Sequence, residues 1–114
     1  MSVHDTAHEL ARLLANCDEY QEFLKGKKLL ETDAVAKKMV KDFLTKQMAC
    51  EYEKMAGKST TEQEQQLQKM AGLLAVNPIA AQFLQAHLRF QRVMADLYKI
   101  IGDSIAEGMD IFEK

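Results

Sequence analysis

The chain of 114 residues has no Trp, a single Pro, only five Gly and two Cys. One proline and few glycines exclude a turn-rich β architecture, because sheets need frequent turn formers whereas long helices need few breakers. No apolar run approaches the roughly 18 residues that would cross a bilayer. The opening Met1-Ser-Val-His-Asp-Thr lacks the basic start and apolar core of a secretory leader, so a cytoplasmic protein without a membrane anchor is expected. Cys17 and Cys50 have neither C-x-x-C spacing nor a histidine placed to complete a zinc site, which predicts two reduced, buried apolar thiols. Nor does charge of one sign dominate: 15 basic against 17 acidic side chains give a net charge of −2, leaving no broad attraction for phosphate backbones.

What is present is 47% apolar and 28% charged residues, the balance of one folded domain over 1–114. Ser2 and Asp5 form a capping box ahead of Leu10, Leu13 and Leu14 at helical spacing, with Ala7 and Ala11 widening the stripe. Asn16-Cys17-Asp18 interrupts it. Asp18 with Gln21 predicts the cap of a second helix carrying Tyr20, Phe23 and Leu24 towards Leu30, with Gly26 leaving its later half open. Thr32-Asp33 starts the next. There Val35, Ala36, Met39, Val40, Phe43, Leu44, Gln47, Met48 and Cys50 trace one wide apolar side, ending near Ala56.

Gly57 suits a left-handed helix end, and Ser59 or Thr60 the cap of a polar, peripheral helix that stops before Asn77. Asn77-Pro78 is an N-cap followed by proline at the first helical position. From Pro78 to about Phe112 a stripe of Phe83, His87, Phe90, Met94, Leu97 and Ile101 recurs at threes and fours. A straight helix of that length spans about 52 Å, several times the radius of a compact domain of this size, about 13 Å. Such a helix projects beyond its own bundle and needs its stripe covered, unless Gly102 or Gly108 bends it back. The fold class is therefore all-α: a bundle of four or five helices with a long C-terminal helix that drives a homodimer or tetramer through those six residues.

The candidate chemistry is thin. His4-Asp-Thr-Ala-His8 imitates the H-E-x-x-H zinc motif, yet its Asp is a methylene shorter than Glu and no third ligand follows, so an exposed helix start is expected there. His87 sits between Phe83 and Phe90 without an acid or nucleophile in helical register, as a packed or interface histidine would. Lys25, Lys27, Lys28, Lys37, Lys38 and Lys41 could make a basic patch, but no aromatic platform is interleaved with them, so direct nucleic-acid binding is the rival reading rather than the expected one. Met39, Met48, Met70 and Met94 lie at core spacing, with an adaptable interface as the alternative. No phosphate loop, paired-carboxylate site or activated nucleophile is found. The residues predict neither an enzyme nor a cofactor or metal.

In this order of segments, Leu10-Ala-Arg-Leu-Leu, Asp18-Glu-Tyr-Gln-Glu-Phe, Phe43-Leu-Thr-Lys-Gln and above all Leu74-Ala-Val-Asn-Pro-Ile-Ala-Ala-Gln-Phe-Leu-Gln-Ala, the chain resembles the YlbF/YmcA family of bacterial helical proteins from Thr6 to Ile105. In length and short tail it is closest to that family's YheA-like branch. The resemblance implies a self-associating regulator of competence, sporulation or biofilm formation. Sister family proteins and the messenger-RNA decay machinery are the implied partners, and any effect on RNA would pass through them. With no cysteine after Cys50, the iron-sulfur association of the cysteine-tailed relatives does not transfer.

Overall fold

The computed structural model describes residues 2–110, and among them every regular element is a helix. Phe112, the last residue of the predicted stripe, lies outside the described residues. The helices are α1 (Val3–Asn16), α2 (Asp18–Glu31), α3 (Ala34–Met55), α4 (Thr61–Ala75), α5 (Pro78–Ser104) and a single turn, α6 (Ala106–Met109). Five principal helices match the sequence reading, and the described residues add the sixth.

Three of the six helix starts carry a side-chain cap. The Asp5 amide donates to Ser2 Oγ at 3.1 Å and the Ser2 amide to Asp5 Oδ2 at 3.4 Å, closing the capping box that starts α1. Asp33 Oδ1 accepts from the Ala36 amide at 3.0 Å, and Asn77 Oδ1 from the Ala80 amide at 3.1 Å with Pro78 at N1. Gly57, at φ +80°, ends α3: its own amide donates to the Lys54 carbonyl and the Lys58 amide to the Glu53 carbonyl, the paired bonds of a Schellman motif. Two expectations are corrected. Cys17, not Asp18, is the N-cap of α2, and Gln21 instead donates through Nε2 to the Ala15 carbonyl at 2.7 Å, tying α2 back to α1. The C-terminal helix breaks at Ile105, so α5 has 27 residues and spans about 40 Å.

Two antiparallel hairpins share one hub. In the first, α2 runs back along α5: Gly26 lies against Phe83 and Tyr20 against Phe90. Gly26, which left α2 open at its middle, is buried within a continuous helix, and a Cβ there would stand 3.3 Å from Phe83 Cα. Its missing side chain is what lets the two backbones come together. In the second hairpin α4 returns along α3, closed at its tip by Gln63 to Glu53 (2.7 Å) and Lys54 to Glu64 (2.8 Å). The hairpins meet where Leu30, Ala36, Val40, Leu74, Ala80 and Phe83 pack together. Ala36 and Ala80 have no exposed surface, and their small size brings the starts of α3 and α5 into contact.

The resulting molecule measures 47 × 38 × 15 Å, with a radius of gyration of 17.7 Å. Fifteen ångströms is little more than one helix diameter of about 10–12 Å. A compact chain of this length has a radius near 13 Å. The molecule is thus flat and extended rather than compact, with little depth in which to bury apolar faces.

Candidate functional site

Phe83, His87, Phe90, Met94, Leu97 and Ile101 do lie along one face of α5, but the structure divides them. Phe83 is buried in the hub. The Phe23 ring stands 5.5 Å from Phe83 and stacks on Phe90 at 5.7 Å, while Tyr20 covers Phe90 at 5.2 Å. His87 presents its ring edge-on to Phe23 at 5.8 Å. The first half of the stripe is therefore satisfied by α2 within the chain. Beyond Phe90, α5 outruns α2: Met94 and Leu97 are half-buried, and Ile101 is 52% exposed beside Tyr98, Ile100 and Ile105. The open end of α5, residues 91–104, is the candidate site, and Met94, Leu97 and Ile101 are the part of the predicted surface that α2 does not cover.

A second apolar face belongs to α1. Its Val3, Ala7, Leu10 and Leu14 fall in one arc with Leu13 at the margin, opposite His8 and Arg12; Val3 and Leu13 are exposed, whereas Leu10 and Leu14 are half-buried. None of its residues is buried, and among the described residues α1 touches only α2. The sequence marks Leu10, Leu13 and Leu14 as a stripe at helical spacing, but says nothing of what covers it.

The wide apolar side expected on α3 also divides. Ala36 and Val40 enter the hub and Cys50 is buried, but Met48 is 74% exposed, forming a face with Tyr52 and Met55 about a third of a turn away. For Met48 the core expectation is thus corrected: α4 covers only one side of α3. Between α3 and α5, near the hub, lies an open groove of about 350 Å³ lined by Phe43, Leu44, Gln47, Leu84, His87 and Leu88 among others. Burial holds the His87 imidazole below its ordinary pKa of 6.5, so it is largely neutral at pH 7.

The other candidates are dispersed. His4 and His8 lie exposed on α1, and no group of three His, Cys, Asp or Glu side chains converges among the described residues. Cys50 is buried as expected, whereas Cys17 is only half-buried at the α1–α2 elbow. Of the lysines, Lys37 is paired with Glu31 at 2.7 Å and Lys38 with Asp42 at 3.0 Å, so the basic face is partly neutralised. The Lys37 hydrogen bond and charge hold the Glu31 carboxyl below the usual carboxylate range. No described helix is long and apolar enough to cross a membrane.

What the described residues present is an extended, partly uncovered apolar surface along α5, α1 and α3. Comparison with known proteins gives the family. The family described as "Control of competence regulator ComK, YlbF/YmcA" matches residues 3–106. A UPF0342 protein of Desulfitobacterium hafniense is 33% identical over 112 residues, covering 97% of this chain and 90% of its own. One from Caldicellulosiruptor bescii is 33% identical over 105 residues (91% and 88%), and one from Clostridium tetani 32% over 106 (92% and 91%). No solved structure matches. With the match running from the first turn of α1 through the whole of α5, the chain belongs to the YlbF/YmcA family.

Proposed function

We propose that this protein is a non-catalytic regulatory adaptor of the cytoplasm, which associates with itself through the open end of α5 and offers its remaining helical faces to other proteins. The observation that supports this reading is the continuation of one apolar stripe past the end of the helix that covers it, from Phe90 under Tyr20 to the exposed Ile101. A stripe left in water costs roughly 1.5 to 3 kcal/mol for each large side chain that burial would stabilise. Self-association recovers that energy without altering the hub.

The family's link to control of a competence regulator supports a regulatory role, exerted through contacts between proteins. Sister family members and the machinery that processes messenger RNA are the partners this reading favours. The exposed Met48, Tyr52 and Met55 suit such a role, because methionine repacks against differently shaped surfaces at little cost.

The test is affinity capture from the native host at low salt, followed by mass spectrometry, with wild type beside a Leu97→Asp/Ile101→Asp variant. Both positions lie past the α2 contact, so the hub is left intact. Recovery of sister proteins or the RNA-processing machinery with wild type, and their loss with the variant, is the expected result. Capture of neither by wild type removes the regulatory-complex reading, and a steep salt-dependent affinity for RNA in the purified protein would favour the rival RNA-binding one.

A further inference from the structure

We propose that α1 is an exchanged arm: in a dimer, α1 of each copy lays Val3, Leu10 and Leu14 across the open end of α5 of the other copy, at Leu97, Ile101 and Ile105. This deepens the self-association reading and rests on it, but assigns the interface a second component that α5 alone does not supply.

Four observations converge. First, α1 is a capped, strongly amphipathic helix of 14 residues without a buried residue. Isolated helices shorter than about 12–15 residues are marginal in water, so its order requires a covering surface. Secondly, the two exposed segments match in length: α1 and residues 91–104 of α5 each span roughly 21 Å. Thirdly, the elbow keeps α1 away from its own α5. The single residue Cys17 between α1 and α2 is extended, at φ −73° and ψ 154°. Its amide donates to the Leu14 carbonyl at 3.2 Å, and Gln21 bonds across to Ala15. Folding α1 back onto its own α5 would have to rebuild this elbow, whereas a second copy meets the arm where it stands.

Fourthly, the surface area is that of a half-assembled molecule. The chain exposes 9043 Å². A compact monomer of its 12.9 kDa exposes about 6,300 Å². The excess of about 2,700 Å² is on the scale of what each partner contributes to a large obligate homodimer, whose interfaces total about 2,000–5,000 Å² or more. Pairing of two α5 ends without the arms would leave both α1 faces wet. Exchange places four segments, two arms and two α5 ends, around a new core at the dimer centre.

The full chain is tested by sedimentation velocity across a dilution series, wild type against Leu10→Asp/Leu14→Asp. Neither leucine belongs to the hub, so α2–α5 should keep their helical signal and cooperative melt. The expected result is a wild-type dimer and a variant whose dissociation constant rises on the order of 100-fold or more. A variant that dimerises as tightly as wild type overturns the exchanged arm and leaves self-association through α5 standing. A wild-type monomer overturns both. Independently, Leu10→Cys combined with Leu97→Cys places thiols at the middle of each segment, so either helix direction brings them together. Oxidation should give a covalent dimer that each single substitution does not form. A disulfide confined within one chain would show α1 folding onto its own α5 and overturn the exchange.

Discussion

The two ends of the α2–α5 hairpin carry the same kind of sequence and meet different fates. At the hub end, Leu30, Ala80 and Phe83 are drawn into a core with Ala36, Val40 and Leu74 from the second hairpin, and each is at least 93% removed from solvent. At the far end, Leu97 and Ile101 of α5 recur at the same helical spacing, as do Leu10 and Leu14 of the preceding α1, yet none is buried. The period of a stripe therefore tells which face seeks burial, while the length of its neighbour tells how much of that face the chain itself can cover. α2 is about half as long as α5, and what lies past its end stays uncovered by the chain itself.

The sharpest way to break the comparison is to truncate one leucine at each end. Leu74→Ala, at 2% exposure, should cost about 2–5 kcal/mol through lost burial and the cavity left behind, read as a lower urea midpoint. Leu13→Ala on α1, at 71% exposure, should stay within about 0.5 kcal/mol. Equal losses at the two positions would abolish the distinction.

A smaller effect separates two glycines. Gly26→Val should cost about 1–3 kcal/mol, because the branched side chain must push α2 off the Phe83 backbone. Gly72 on α4 has nothing within 4 Å of an added Cβ, so Gly72→Ala should instead stabilise the protein by up to about 1 kcal/mol through helix propensity. Thermal melts of the two variants should therefore move in opposite directions.

The smallest effect is that of pH on the boundary between the two regions. His87 is held below its ordinary 6.5 by burial, so the unfolded chain takes up a proton before the folded one does. Its contribution to stability is thus complete above about pH 6.5 and is lost as pH falls through the folded value. The melting temperature should drop on going from pH 7 to pH 5, and His87→Phe should flatten that slope without changing the behaviour above pH 7.

Much of the fold was legible because its punctuation is local. Ser2, Asp33, Gly57 and Asn77-Pro78 each act within four residues of themselves, and a stripe on a single helix is a property of that helix. Cys17 was missed as a cap because its side chain accepts no hydrogen bond there, so nothing in its chemistry marks the boundary. Burial was less legible. Phe90 and Ile101 look alike along the chain, and only the position of α2, with Tyr20 and Phe23 over Phe90, separates them. Met48 and Val40 likewise share one broad side of α3, and only the side on which α4 lies decides which is covered. The candidate site emerges from comparing helix lengths and directions, which the periodicity of one segment does not contain.

The most direct measurement is amide hydrogen exchange of α1 at high and low protein concentration. If a second copy completes the far end, the α1 amides should be protected at high concentration and exchange rapidly on dilution below the dimer dissociation constant, while those of the hub change little. Protection of α1 that is independent of concentration in a protein of monomeric mass would contradict the account. So would an α1 that exchanges freely in the fully assembled dimer.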